Sequence, residues 1–188
     1  HFRLNEITQK TEFKRINESE FVQITDKHLN SLYRELQKFH IKIGLEQLAG
    51  LLHSDFVPSY DPFTSYYENL KAWDGRIDFI GELARTVTLT DPALQEAFSK
   101  DLKKWLVNMV ACAINPSVVN HNAIILVGAQ GRYKTTWLNR LVPSPLSQYK
   151  FIGTINPDNK DTLIHLSECI LVNLDELETL RKAEIGSL

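Results

Sequence analysis

At 188 residues, 43% of them apolar, the chain can bury one large core or two small ones. A formal charge of −2 excludes a globally basic surface that would hold nucleic acid through bulk charge, so any DNA contact must be local. No stretch approaches the roughly 18 consecutive apolar residues of a membrane span, and the opening HFRLNEITQK has no signal-peptide core, so a cytoplasmic protein without a membrane partner is expected.

The first segment, FRLNEITQKTEFKRI, places β-prone residues on either side of a polar break at Thr8 to Lys10, and FVQIT follows; two or three short strands are predicted. Asp26 is the expected cap of a helix through LNSLYRELQKFH, with Leu29, Leu32, Leu36 and Phe39 on one face. A second helix, LEQLAGLL, follows Gly44. Residues 1–57 therefore read as a small α+β module, winged-helix-like in one version, whose interleaved charges suit packing as well as DNA contact.

Pro58 and Pro62 disfavour a continuous helix and mark a linker or domain edge. The helical segment 58–118 comes next. Phe63, Tyr66, Tyr67, Leu70 and Trp73 form an aromatic stripe read as core, and Ile77, Ile80, Leu83, Ala84 and Val87 are expected to face inward. A long helix, DPALQEAFSKDLKKWLVNMVACAI, starts with Asp91 as cap and Pro92 in its first turn. Its Lys100, Lys103 and Lys104 read as a solvated face. Cys112 and Cys169 sit in separate apolar segments and are expected to be buried, reduced thiols.

From 119 onward strand and helix alternate: AIILV, TTWLNRLV, KFIGT, DTLIHLSE, CILVNL. That alternation predicts a parallel sheet flanked by helices, with AIILV and CILVNL in one sheet and their following loops at its carboxyl edge. Between AIILV and the next helix lies GAQGRYKTT, with Gly128, Lys134 and Thr135 at the spacing of a phosphate-binding loop and Tyr133 where the second glycine belongs. Such a loop works because unobstructed backbone amides face the phosphates, a lysine adds charge and a hydroxyl holds magnesium. CILVNL ends in Asp175 and Glu176, a carboxylate pair suited to magnesium coordination and to orienting a hydrolytic water. The competing reading makes Gly128 and Gly131 a plain turn and the two carboxylates a helix cap.

The sequence resembles the virulence-associated E family, primase-helicase-like replication proteins of phages, satellite islands and conjugative elements. The likeness covers most of the chain and rests on YDPFTSYYENLKAWDGRIDFIGELA with Trp73, Asp74 and Gly75, on LVGAQGRYKTTWLNRLVP, and on NPDNKDTLIHLSECILVNLDELETL. It implies an α/β P-loop NTPase core, AAA+ and superfamily three helicase-like, over 119–188 and cut short at its carboxyl side, behind the helical segment and the amino-terminal module. By the same resemblance the loop Gly128, Ala129, Gln130, Gly131, Arg132, Tyr133, Lys134, Thr135 and Thr136 would bind ATP. Lys134 would meet the β and γ phosphates, Thr135 and Asp175 the Mg2+, and Glu176 the attacking water. Lys160 and Asp161 match a family segment, with a surface ion pair equally open.

The parent protein would be a replicative helicase or helicase-primase of a mobile element, with DNA and further copies of itself as partners. The chain lacks an initial methionine and stops at Leu188, so it reads as a fragment. Sensor and arginine-finger residues would lie further on, leaving this piece a weak ATPase or an inactive one. Tyr133 departs from the pattern and supports the alternative of a non-catalytic scaffold or oligomerisation module. A small-molecule kinase is a third reading, less suited to the tandem Asp175 and Glu176.

Overall fold

The computed structural model describes residues 1–155 and 159–174. It divides the chain into two compact units, His1–Ser65 and Tyr66–Leu188.

In the first unit β1 (Phe2–Asn5) and β2 (Lys10–Phe13) form a hairpin, with β3 (Val22–Gln23) antiparallel beside β2. Asn5 closes the turn, its Oδ1 accepting from the amides of Ile7 and Thr8 at 3.1 and 3.2 Å. A short strand β4 (Ser59–Tyr60) pairs parallel with β1, giving the order β3-β2-β1-β4. The stretch expected to be a linker between Pro58 and Pro62 is thus an edge strand. The amides of Leu4 and Glu6 donate to the carbonyls of Pro58 and Tyr60, which needs no N–H from either proline.

Helix α1 (Asp26–Lys38) begins one residue earlier than the sequence suggests: Thr25 is its N-cap and Asp26 its first helical residue. The Thr25 amide donates to His28 Nδ1 at 3.3 Å. Helix α2 (Leu45–Leu52) packs against α1, and Leu48 and Leu52, one turn apart, form a buried cluster with Val57, flanked by Phe2, Leu4, Ile24, Leu29, Leu32, Tyr33, Leu36 and Ile43. Phe39 is the one stripe residue of α1 that stays out, at 77% exposure, because the helix ends at Lys38 and the chain turns there.

Alternation along β1 sends Phe2 and Leu4 to the helices and Arg3 and Asn5 to the other face. There Arg3 Nε and Nη2 each donate to Glu12 Oε2 at 2.7 Å, across the directly paired strands. Asn5 Nδ2 donates to Glu12 Oε1 at 2.8 Å. The guanidinium lies between the rings of Phe21 and Tyr60, 3.9 and 3.6 Å from their centroids. Glu12 and Asn5 are buried, so this polar cluster fastens β1, β2 and β4 from the side opposite the helices.

In the second unit α4 (Phe79–Arg85) packs on the long α5 (Gln95–Ile114), and each helix buries one residue to 1% exposure, Ala84 and Leu102. Asp91 caps a 3-10 turn, Pro92–Leu94, accepting from the Ala93 amide at 2.9 Å, and α5 itself begins after that turn, at Gln95, later than the sequence suggests. The stripe that opens in α3 (Pro62–Glu68) is core only at its start: Phe63 is buried, whereas Leu70, Trp73 and Ile77 are exposed, since α3 stops at Glu68 and a turn with Gly75 at φ +77° follows. Lys100 and Lys104 pair with Glu96 and Asp101 within α5, a solvated face as expected.

Farther on, β5 (Lys150–Gly153) and β6 (Leu171–Leu174) pair in parallel around α7 (Lys160–Ser167), with Lys150 opposite Leu171 and Gly153 opposite Leu174. A parallel pair needs such a crossover. Val142, Leu146, Tyr149, Ile155 and Leu171 are buried. Residues 123–127 differ from expectation: they belong to no ladder among the described residues, and Ile125 and Val127 are 68% and 93% exposed. A strand is secured by its neighbours, and AIILV has β propensity without a paired edge.

Cys112 and Cys169 are free thiols of intermediate burial rather than fully buried. Burial, with the Glu168 carboxylate nearby, pushes the Cys169 thiol up. The thiolate is the reactive form, so at pH 8 iodoacetamide should alkylate Cys169 several-fold more slowly than free glutathione, the gap narrowing as pH rises. Equal rates at pH 8 would contradict this.

Candidate functional site: the glycine loop and its helix

The loop from Gly128 leads into α6 (Lys134–Asn139), a helix of six residues. Two positions in it take left-handed backbone, Gly131 at φ +78° and Tyr133 at φ +57°. Glycine does this freely, whereas a tyrosine there is strained by roughly 1 kcal/mol. Tyr133 thus occupies the glycine position of the loop pattern in a glycine-like conformation. Its side chain is 78% exposed, so the ring points to solvent and does not fill the loop.

The lysine closes the loop. Lys134 Nζ donates to the carbonyls of Gly128 at 2.7 Å and of Ala129 at 2.9 Å. These bonds bring the loop's last residue back over its first two, and they use two of the three donors of an ammonium. An added Cβ at Gly128 or Gly131 would meet nothing within 4 Å, so neither glycine is required by a neighbouring side chain; the φ of Gly131 is what favours glycine.

Hydrogen bonds to other elements fix α6. Trp137 Nε1 donates to Thr86 Oγ1, at the end of α4, at 2.7 Å. From β6, Asn173 Nδ2 donates to Asn139 Oδ1 at 2.9 Å and to the Thr135 carbonyl at 3.4 Å. The carboxyl end of β6 is therefore beside the first turn of α6, where Thr135 is half-buried. Sequence reasoning passed over Asn173. Its signal was a lone amide inside an apolar strand, since a buried polar group needs a partner.

The structure brings together Gly128, Ala129, Lys134 and Thr135, and places Gln130, Gly131, Arg132 and Tyr133 in the exposed turn between them. Thr136 is exposed on α6. Asp175 and Glu176 follow Leu174 directly in sequence and lie outside the described residues. Lys160 opens α7 and is exposed; Asp161 is the second residue of that helix. Among the described residues no group of three or more His, Cys, Asp or Glu could hold a metal ion, and no helix is long and apolar enough to cross a membrane.

By relieving this strain, Tyr133→Gly should raise the stability of the second unit by about 1 kcal/mol. Thermal unfolding followed by tryptophan fluorescence checks this, because Trp73, Trp105 and Trp137 all belong to that unit. An unchanged or lower midpoint would contradict it.

A loop closed on its own lysine, opening a helix that is bonded to a parallel strand pair, defines an α/β unit with a candidate anion-binding loop. The sequence model of the virulence-associated protein E-like domain matches residues 68–188, over half of the chain, and the chain belongs to that family. Membership associates it with replication proteins of phages and mobile elements. The match takes in Trp73, Asp74 and Gly75 and leaves out Tyr60 to Tyr67, so the likeness is narrower than the sequence motifs suggest. No curated protein and no solved structure matches the chain.

Proposed function

We propose that residues 119–188 are the nucleotide-binding part of a P-loop ATPase of the AAA+, superfamily three helicase-like kind, which binds ATP with Mg2+ and serves DNA replication of a mobile element. The observation that carries the reading is the pair of Lys134 Nζ bonds to Gly128 and Ala129. They wrap the loop so that an ammonium sits at its mouth, where a phosphate would be held by charge-assisted bonds. In this reading Lys134 binds the β and γ phosphates, Thr135 and Asp175 hold the magnesium, and Glu176 orients the attacking water. The outward Tyr133 ring leaves the loop interior open to an anion. DNA and other copies of the chain are the partners proposed for the whole protein.

Magnesium-dependent binding of a fluorescent ATP analogue, compared between the wild-type chain and Lys134→Ala, tests the reading. Equal binding by both removes the site assignment.

One observation favours the alternative, a non-catalytic scaffold derived from such a loop: a tyrosine stands in left-handed backbone where a glycine costs nothing. On that reading Lys134→Ala and Glu176→Gln leave replication of the element intact. Loss of replication by a folded Glu176→Gln protein excludes the scaffold.

A further inference from the structure

We infer that Asn173 is a positioning residue that sets the magnesium-binding hydroxyl of Thr135 from the neighbouring strand, an inference that rests on the phosphate-loop reading above. Asn173 is 6% exposed, in the middle of the otherwise apolar β6. A buried primary amide with no bonding role would cost more than a leucine there, so its placement requires partners.

Both partners of its Nδ2 lie on one face of α6. Thr135 and Asn139 are four residues apart, one helical turn, which lets a single amide reach the Thr135 carbonyl and the Asn139 side chain together. From β5, Lys150 Nζ donates to the Asn139 carbonyl at 3.2 Å, so both strands of the pair grip the end of the same short helix. Six residues make too little helix to hold its own orientation. The first turn of α6, and with it the backbone that carries the Thr135 hydroxyl, is oriented by the strand.

This predicts a particular kind of defect. Lys134 is bonded to Gly128 and Ala129, not to Asn173, so the charge at the loop's mouth does not depend on the strand contact. Losing Asn173 should impair what depends on Thr135 and leave what depends on Lys134.

The test is titration of a fluorescent ATP analogue into the full chain, once with magnesium and once with EDTA, for the wild type and Asn173→Leu. The expected result is about tenfold weaker binding by Asn173→Leu in magnesium and a change of less than about twofold in EDTA, the loss of one buried hydrogen-bonding group. Equal loss in both buffers assigns Asn173 to folding alone and overturns the inference, as does equal affinity of variant and wild type in magnesium. Absence of nucleotide binding by the wild type overturns the phosphate-loop reading itself, an outcome separate from the other two. Should Asn173→Leu fail to fold, Asn139→Ala removes the shorter of the two bonds from the helix side. It should weaken magnesium-dependent binding about threefold and spare binding in EDTA; no magnesium-specific change would again overturn the inference.

Discussion

Replacing Lys134 with alanine should weaken magnesium-dependent binding of an ATP analogue by at least about a hundredfold, close to 3 kcal/mol. Two effects add. The ammonium's charge-assisted bond to a phosphate is lost, typically about 1.5–3 kcal/mol. The loop also loses the two carbonyl bonds, 2.7 and 2.9 Å long, that fold Gly128 and Ala129 back over the start of α6. Lys134→Arg should recover little, because a planar guanidinium on a longer side chain cannot take the place of a compact ammonium between two carbonyls. Equilibrium titration followed by analogue fluorescence reads the effect, and a loss under threefold contradicts it.

The second large effect lies in the first unit. Glu12→Ala should destabilise that unit by about 3 kcal/mol, because it leaves the Arg3 guanidinium between Phe21 and Tyr60 without its counter-charge and Asn5 Nδ2 without its acceptor. Arg3 keeps 22% side-chain exposure, which lets water soften the penalty and places the expectation at the low end for a buried pair. Combining Arg3→Met with Glu12→Leu should cost less than Glu12→Ala alone, since apolar replacement of both partners removes the unpaired charge. Hydrogen exchange of the β1 and β2 amides measures both variants. A cost below 1 kcal/mol for Glu12→Ala contradicts the view that this cluster holds the sheet.

These two sites were unequally legible. Lys134 and Thr135 stand out because loop spacing is encoded locally, in a run of eight residues. The Arg3–Glu12 pair is invisible in sequence because it depends on which residue of β2 lies opposite Arg3, a register fixed by the hairpin turn at Asn5. Helices α1, α2 and α5 could be read from apolar spacing and caps, which are also local. Their ends were harder: Phe39, Leu70 and Trp73 continue the spacing beyond the point where the backbone leaves the helix, and end in solvent.

β strands show the same limit. The pairing of β5 with β6 follows from the strand–helix–strand alternation, whereas β4 hides between two prolines, a place where its pairing with β1 needs no N–H from either proline. AIILV has every local mark of a strand and no ladder partner among the described residues. Asn173 carries a signal, a polar residue in an apolar run, but its partners lie 34 and 38 residues earlier, beyond the reach of any local pattern.

The loop from Gly128 to Thr135 is proposed to receive the phosphates of a nucleotide. Hydrogen exchange of the backbone amides in that loop, with and without ATP and magnesium, tests it most directly. Nucleotide should slow exchange chiefly at residues 129–135, with no such slowing in Lys134→Ala. Unchanged exchange in the loop at saturating nucleotide, or protection confined to other parts of the chain, would contradict it.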